Sequence, residues 1–550
     1  MKRAFCVFAA LLNDSTVRAV SKMKLMSNFK DWKFKYPPNY AELPIDENLA
    51  YNEPVAVKNA VFSKVPTEPL TGNIRLVCAS GDALKDLFDL DPSVAESKDF
   101  VNFVAGKYQP PGGLSVSHRY GGYQFGFWAD QLGDGRAHVL GEYVNSKGES
   151  WQPQLKGSGE TPYSRFGDGR AVLRSSVREM LASEAMHGLG VPTTRAAALV
   201  VSDDHMVWRD KTYSGRAKQE RAAIVMRVCH AWYRLGSFEI LDKRKEPDTM
   251  KTLFELIIKH HFPSIESEDE DRFVKFYTEV AHKNLDMVAA WQGVGFTHGV
   301  LNTDNVSILG VTIDYGPYGF IDHYYGSYVP NTSDDLGRYA FDKQPQILLW
   351  NLEKFALALD PILPEDQKQK IKEVQATLEE YVKRKVLSTY LLKLGLKQIQ
   401  DGDGALIEDL LNLMQDTMAD FTCTFRQLAE MDLEDLEDDS KLENKWSLNK
   451  IREAKGWGKW VERYRQRVEE ENVSDEDRRS RMTAVNPVYV PRNWMMQEAI
   501  ADAENNDFTK VRFLLELFRR PFEVNAEAEK LGYSSQPPSW SYGLKLSCSS

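Results

Sequence analysis

The chain has 550 residues, of which 42% are hydrophobic and 11% aromatic, so it is long enough for two or more core-bearing units or for one large elaborated domain. Its net charge of −11 at pH 7 gives no electrostatic case for nucleic acid as a general partner. The cysteines are widely spaced without a CxxC pair, which argues against a zinc ribbon or a disulfide framework and suits a reducing compartment: Cys6, Cys78, Cys229, Cys423 and Cys548.

The first 30 residues differ from the rest of the chain in charge. They contain six Lys or Arg residues against one acid, Asp14, and a short apolar run at 4–12. The run is too short to span a bilayer, and the basic residues that follow it favour an organellar transit peptide over a secretory signal. Residues 1–30 are therefore predicted to target the protein to mitochondria, the alternative being an untargeted tail on a cytoplasmic protein. No other apolar run approaches membrane length, so we expect a soluble protein without a membrane partner.

Two further regions precede the helical part of the chain. Residues 31–115 are rich in Pro and Tyr at their start and are interpreted as an N-terminal extension. Residues 116–245 are predicted to form a strand-rich unit, because short apolar runs alternate there with turn signals such as NSKGE. Its expected elements are strands over 138–144, 150–156 and 222–229 and a helix over 171–187, where Leu173, Val177, Leu181 and Ala185 recur at four-residue spacing.

The remaining chain is predicted to be mainly helical. Residues 246–430 form the main helical unit, interrupted by a loop-rich stretch at 295–335, and residues 431–550 form a C-terminal extension. Six of the eight residues at 432–439 are acidic, which is typical of a boundary or of an exposed helix.

Four residues of this chain follow one another in the same order as the functional residues of a protein-kinase active site. Lys156 ends a predicted strand, where its ammonium can meet phosphate oxygens, and Glu179 lies in the following helix, where it can pair with that Lys. Asn305 and Asp314 then supply the hard oxygen ligands that Mg²⁺ prefers. The loop HGVLNTDN departs from the kinase pattern, because Val300 stands where a kinase has its catalytic Asp.

Further basic and glycine-rich segments flank these residues. The tetrapeptide GDGR occurs at 133–136 and at 167–170, and its turns could present N–H groups and an Arg to anionic oxygens or be ordinary turns. From their sequence context alone, Arg227 and Arg234 are expected to be ordinary surface cations. His298 is expected to be a buried structural histidine. The chain contains no GxGxxG, Walker A, HExxH or GxSxG motif.

From about residue 60 to the C-terminus the chain resembles the selenoprotein O family, the pseudokinase-like protein adenylyltransferases. The shared strings include GGYQFGFWADQLGDGRA, LKGSGETPYSRFGDGRAVLRSSVREM, GFTHGVLNTDN, TIDYGPYGFID and NPVYVPRNW. They also include the final CSS, in which Cys548 stands where some members of the family carry selenocysteine. The resemblance implies an α/β (α+β) protein-kinase-like fold of two lobes, with family-specific N- and C-terminal extensions.

The resemblance also implies an activity. Family members bind ATP in a flipped orientation and transfer AMP to Ser, Thr or Tyr hydroxyls of target proteins, with Mg²⁺ or Mn²⁺ as the metal. By motif, Glu179 orients Lys156, Asn305 and Asp314 hold the metal, and Asp304 is the proton acceptor. The residues implied to contact the nucleotide are Gly133, Gly135, Arg136, Lys156, Asp168, Gly169, Arg227, Arg234 and Asp314.

Three functions therefore stand open: a protein adenylyltransferase, a conventional protein kinase and a non-catalytic nucleotide-binding scaffold. Val300 counts against the kinase, because no carboxylate stands at the position of a kinase base. The retention of Asn305 and Asp314 counts against the scaffold. Cys548 is a redox candidate, since a thiolate on an exposed terminal segment can exchange with partner thiols, and we expect that role to be separate from the nucleotide site.

Overall fold

The computed structural model describes residues 25–48, 55–210, 215–544 and 546. The strands of these residues are β1 (Ile45–Asp46), β2 (Phe62–Lys64), β3 (Ile74–Ala79), β4 (Val116–His118), β5 (Gly121–Gln124), β6 (Phe127–Gln131), β7 (Ala137–Val139), β8 (Tyr143–Val144), β9 (Ser150–Lys156), β10 (Ala171–Val172), β11 (Arg195–Arg209), β12 (Lys218–Cys229), β13 (Phe296–Thr297) and β14 (Gly319–Phe320).

The α-helices of the same residues fall mostly in the second half of the chain. They are α1 (Gly81–Phe88), α2 (Lys98–Val104), α3 (Leu173–Gly188), α4 (Leu235–Lys243), α5 (Pro247–His261), α6 (Arg272–Val294), α7 (Gln344–Leu359), α8 (Glu365–Lys393), α9 (Asp403–Asp416), α10 (Phe421–Ala429), α11 (Asp439–Leu442), α12 (Trp446–Ile451), α13 (Trp457–Glu470), α14 (Asp475–Val485), α15 (Asn493–Glu504), α16 (Thr509–Arg519) and α17 (Ala526–Lys530).

One large, mostly antiparallel sheet organises the first half of the chain. Its strand order is β1-β2-β4-β7-β9-β12-β11-β3, with β10 paired to β12 and β8 to β9. The predicted strands 150–156 and 222–229 are confirmed, and the predicted strand 138–144 is divided into β7 and β8. The predicted N-terminal extension supplies β1, β2 and β3, so it is part of the sheet.

The side chains of β12 alternate between two cores. Ile224, Met226 and Val228 join a cluster formed largely by the N-terminal extension, including Phe29 and Trp32. Ala223 and Val225 face the opposite cluster, which includes α3 and the helical lobe. This alternation follows from the two-residue period of a strand, and β12 is an interior strand of the sheet with a core on each face. Phe29, at 2% exposure, shows that the fold begins inside the predicted targeting segment 1–30.

Helix α3 confirms the helix predicted over 171–187, and it lies on the face of β12 that carries Val225. Leu173, Val177 and Leu181 are fully buried beneath it. The C-terminal helix α16 packs on the end of α3, where a Cβ on Gly188 would lie 2.3 Å from the carbonyl oxygen of Phe518. Only glycine permits this approach, so the C-terminal extension is joined tightly to the sheet-bearing lobe.

Helices α4 to α10 form a second, helical lobe around the long helices α6 and α8. The large sheet beside this lobe confirms the predicted α+β, protein-kinase-like two-lobe fold. The acidic run 432–439 forms a short 3-10 helix and the start of α11, and most of its residues are exposed, as predicted. Within the described residues, no helix is both long and apolar enough to cross a membrane.

Candidate active site

The register of β9 against β12 places three polar side chains together. Lys156 pairs with Val225 and Gln154 pairs with Arg227, so Lys156, Gln154 and Arg227 lie on one face of neighbouring strands. Gln154 accepts a hydrogen bond from Arg227 Nε at 3.0 Å. Arg227 is only 1% exposed, so the expectation that it is a surface cation is wrong.

Glu179 enters this face from α3 and joins the two cations. Its Oε2 accepts a hydrogen bond from Lys156 Nζ at 2.5 Å, and its Oε1 accepts one from Arg227 at 2.8 Å. Burial alone would raise the pKa of Glu179, but the nearby charges of Lys156 and Arg227 hold it below its ordinary value. The pairing of Lys156 with Glu179 inferred from their order in the sequence is therefore present.

Asp314 lies opposite these groups on the loop after β13. Its carboxylate accepts hydrogen bonds from Arg227 and Arg234 and lies 3.9 Å from Lys156 Nζ. Burial would raise its pKa, but Arg234, Arg227 and Lys156 hold the pKa well below its ordinary value. Arg234 is 1% exposed, so the expectation that it is a surface cation is also wrong. Asp314 is therefore an anion at neutral pH.

Asp304 and Asn305 occupy a short 3-10 helix between β13 and Asp314. The Asp304 carbonyl oxygen accepts a hydrogen bond from Arg234 at 2.8 Å, which ties the loop to Asp314 through one guanidinium. Burial raises the pKa of the Asp304 carboxyl to about 6, against the opposing charge of Arg234. Asn305 donates its amide N–H to the Val300 carbonyl oxygen at 2.9 Å, so its Oδ1 is not committed to that bond.

Most of these groups line a cavity of about 670 Å³ between the lobes, whereas Gln154, Arg234 and Asp304 lie outside its lining. Gly133, Gly135, Arg136, Lys156, Glu179, Arg227, Val300, Asn305 and Asp314 are all in its lining. The volume is within the range of small-molecule sites. Burial lowers the pKa of Arg136, against the attraction of Glu179. Several cations therefore converge on one pocket whose walls also carry Asn305 and Asp314.

The two GDGR turns have different surroundings. The first turn lines the cavity, and it packs so closely on Tyr163 that a Cβ on Gly133 would lie 2.4 Å from the ring. The second turn lies outside the cavity lining. Its Asp168 forms a two-bonded ion pair with Arg209, and Gly169, at φ +66°, packs against the backbone of Gly159.

Some residues of the site were not identified from the sequence. Asp134, inside the first GDGR, is 5% exposed and accepts hydrogen bonds from Gln154 at 2.9 Å and from Tyr120 at 3.2 Å. Glu239 on α4 accepts a hydrogen bond from Thr303 at 2.6 Å, and burial raises its pKa to about 8. The position of Asp134 within the repeated tetrapeptide could have suggested a role, whereas nothing in the sequence distinguishes Glu239.

The C-terminal extension supports the loop that follows Asp314. Arg178, next to Glu179 on α3, donates to Asn493 at 3.0 Å and to the Tyr318 carbonyl oxygen at 2.7 Å. Arg492 pairs with buried Asp420 at 2.7 Å. Arg178 therefore joins α3 both to the loop that follows Asp314 and, through Asn493 of the string NPVYVPRNW, to the C-terminal extension.

His298 is a buried structural residue, as predicted. It is 1% exposed, its Nε2 lies 2.9 Å from the Ile313 carbonyl oxygen, and burial lowers its pKa. Cys548 lies outside the described residues. Leu546, two positions earlier, lines the cavity, and its carbonyl oxygen accepts hydrogen bonds from Thr332 N at 3.0 Å and Oγ1 at 2.8 Å. Leu546 therefore lies beside the candidate nucleotide site.

A metal at this site would have few protein ligands. Within the described residues there is no cluster of three or more His, Cys, Asp or Glu side chains suited to a metal ion. Asp314 and the Asn305 amide oxygen are the available donors. This set fits Mg²⁺, which binds through one or two carboxylates and completes its coordination with substrate phosphates and water.

Comparison with known proteins agrees with this geometry. Residues 47–519 match the family model described as protein adenylyltransferase SelO. The protein nucleotidyltransferase YdiU of Pseudomonas fluorescens strain SBW25 is 41% identical over 511 residues, covering 92% of this chain and 99% of the relative. The proteins of the same name from Bordetella avium and Myxococcus xanthus are also 41% identical, over 510 and 505 residues, with 92% of this chain and 98% and 99% of the relatives covered.

Proposed function

Since this chain belongs to the SelO family of protein adenylyltransferases, we propose that its cavity binds ATP with Mg²⁺ and transfers AMP to a Ser, Thr or Tyr hydroxyl of a target protein. The observation that carries the proposal is the convergence of Arg136, Lys156 and Arg227 on a cavity that also presents Asn305 and Asp314. Cations placed in this way neutralise a triphosphate and the diphosphate that leaves it.

The reaction is a substitution at the α-phosphorus of ATP. The acceptor hydroxyl oxygen forms a bond to that phosphorus. The bond between the α-phosphorus and the oxygen that bridges it to the β-phosphorus breaks, and diphosphate leaves with that oxygen. Arg136, Lys156, Arg227 and Arg234 orient the phosphates and stabilise the charge that grows on the diphosphate. The proposal places ATP in the flipped orientation, in which the α-phosphorus rather than the γ-phosphorus is reactive. Manganese is the alternative to magnesium at the same ligands.

Asp304 accepts the proton of the acceptor hydroxyl in this proposal. Its carboxyl has a pKa of about 6, which leaves it mostly ionised at neutral pH and more basic than an exposed carboxylate. Asp314 and Asn305 would hold Mg²⁺, which supplies charge stabilisation between the phosphates when bound. Glu179 holds Lys156 extended toward the cavity through the 2.5 Å contact. Asp168 and Gly169 support the loop that packs on the first GDGR turn.

ATP labelled at either the α- or the γ-phosphate tests the proposal. We expect label on protein from the α position only, together with released diphosphate. Label from the γ position only would indicate a protein kinase, and no label from either would indicate a scaffold. Asp304→Asn is the matched catalytic variant, and it should bind ATP normally while transferring little label.

We also propose that residues 1–30 target the protein to mitochondria. The support is the excess of basic residues there, with six Lys or Arg against one acid, and residues 1–24 lie outside the described part of the chain. A fusion of residues 1–30 to a fluorescent protein should accumulate in mitochondria, and the same fusion with the six basic residues changed to Gln should not. A cytoplasmic distribution of the first fusion would overturn this proposal.

A further inference from the structure

We propose that the β5–β6 hairpin and Arg338 beside it form the surface that selects the acceptor segment of the protein substrate. This surface fits an extended segment that carries an apolar side chain and an acidic side chain near the modified hydroxyl. The inference rests on the proposed function, because it takes Asp304 as the group that the acceptor hydroxyl must reach.

Three consecutive residues of the hairpin contact the loop that carries Asp304. The Tyr123 N–H donates to Thr303 Oγ1 at 2.8 Å, and Gln124 Nε2 donates to Asp304 Oδ2 at 3.3 Å. The Phe125 N–H donates to Asn302 Oδ1 of the same loop at 3.3 Å and to the Tyr339 hydroxyl at 2.8 Å. The hairpin also lies close over the base, since a Cβ on Gly122 would be 2.6 Å from Asp304 Oδ1. An acceptor hydroxyl that approaches Asp304 must therefore pass this hairpin.

The hairpin exposes aromatic surface at its tip. Phe127 is 80% exposed and Phe125 is 38% exposed, and Phe125 has a φ of +51°, an uncommon value for a residue with a side chain. Leu336, on the loop beneath the tip, is 91% exposed. Exposed apolar side chains that lie together and beside a functional group are typical of a surface that binds a partner.

The loop beneath the tip adds a positive charge. A Cβ on Gly126 would lie 3.4 Å from the Arg338 guanidinium, so Arg338 is directly under the hairpin. Its guanidinium lies over the rings of Trp350 at 4.7 Å and Tyr339 at 5.8 Å, and its Nε has no hydrogen-bond partner. Within the described residues Arg338 forms no ion pair with a carboxylate. A guanidinium held between rings is pre-oriented to bind one.

These features together define the occupant. The apolar tip fits an apolar side chain of the acceptor, and Arg338 fits an Asp or Glu a few residues away from it. Gln124 acts as a positioning residue, because it holds the carboxylate of Asp304 from the same hairpin that contacts the acceptor. The hairpin thus links recognition of the acceptor to the placement of the base.

A positional-scanning peptide library with a central Ser, Thr or Tyr, incubated with α-labelled ATP, tests the inference. We expect the wild-type protein to favour Asp or Glu at one flanking position and an apolar residue at another. Arg338→Glu should reverse the acidic preference toward Lys or Arg, by roughly ten-fold in relative labelling, which is the scale of one charge pair. Phe127→Ala should remove the apolar preference. Affinity for ATP should be unchanged in both variants.

Two matched variants serve as controls. Arg520→Glu reverses a charge on an exposed residue of the C-terminal extension, and Phe166→Ala removes a Phe that is 94% exposed outside the hairpin. Both should keep the wild-type preferences. Unchanged preferences in Arg338→Glu and Phe127→Ala, with labelling intact, would overturn the inference and leave the proposed function standing. Absence of label on every peptide and protein with the wild type would overturn the proposed function itself.

Discussion

The guanidinium of Arg227 lies between two carboxylates, because one of its terminal nitrogens donates to Glu179 at 2.8 Å and also to Asp314. Through Arg227, Asp314 is connected both to the interior strand β12 and, by way of Glu179, to α3. Phosphate oxygens would compete with the Asp314 carboxylate for Arg227 and Arg234. We therefore expect nucleotide binding to weaken the hydrogen bonds that Asp314 accepts from Arg227 and Arg234.

The first prediction concerns Asp314→Ala. Transfer of AMP should fall by more than ~100-fold, because the phosphates would lose the metal that Asp314 is proposed to hold and the electrostatic stabilisation that comes with it. The variant should also unfold at a lower temperature, since Arg227 and Arg234 are left buried without this partner. Label transfer from α-labelled ATP and thermal unfolding measure the two effects. Transfer at the wild-type rate by the folded variant would refute the metal assignment.

The second prediction concerns Val300, which lies in the cavity lining. Val300→Asp should not create kinase activity, because in the proposed function the orientation of the triphosphate is set by the cations Arg136, Lys156, Arg227 and Arg234. The measurement is transfer of label from γ-labelled ATP to protein, with Val300→Asn as the uncharged control. Efficient γ-phosphate transfer by Val300→Asp alone would show that the flipped orientation is wrong.

The third prediction concerns pH. A base works only when ionised, and burial raises the pKa of Asp304 to about 6. The rate of transfer should therefore be near its maximum above pH 7 and decrease as the pH falls through about 6. Single-turnover rates between pH 5 and 8 with saturating ATP test this, and ATP binding measured at each pH is the control. A profile that stays flat down to pH 5 would remove Asp304 from the role of base.

The fourth prediction concerns the support of the site by the C-terminal extension. Asn493→Ala removes the 3.0 Å hydrogen bond from Arg178, so α3 loses one connection to the C-terminal extension and the guanidinium that holds the Tyr318 carbonyl loses one of its partners. We expect the maximal transfer rate to fall by ~10-fold, because small displacements of positioned groups are costly, while the affinity for ATP changes less. Asn505→Ala, an exposed Asn at the end of α15 whose side chain bonds within its own helix, is the control. Equal rates in both variants would contradict a positioning role.

The fifth prediction concerns Cys548, which lies outside the described residues. Cys548→Ser should abolish mixed-disulfide capture of partner proteins under mild oxidation and leave ATP binding and self-modification largely intact. Leu546 lies in the cavity lining, so the Ser substitution is preferable to a truncation that would also remove this contact. Non-reducing gels compare the two proteins. Equal capture by wild type and variant would assign Cys548 no redox role.

Local sequence patterns are enough to predict the individual strands and helices that carry the site. Short apolar runs beside turn signals predict β9 and β12, and four-residue spacing predicts α3, so Lys156 and Glu179 are placed correctly on a strand and on the next helix. Long family strings predicted the two-lobe fold and the activity. Val300, at the position of the catalytic Asp of a kinase, argues against a protein kinase from the sequence alone.

The pairing of buried charges from distant segments is apparent only in the folded structure. Arg227 and Arg234 have the sequence context of surface residues, and they are buried because Glu179, Asp134 and Asp314 arrive from other elements to pair with them. The hairpin contact with Asp304 joins residues 180 positions apart, and the contact of Arg178 with Asn493 joins residues 315 apart. Local patterns carry no information about such pairs, because a buried charge is stable only where the folded chain brings its partner.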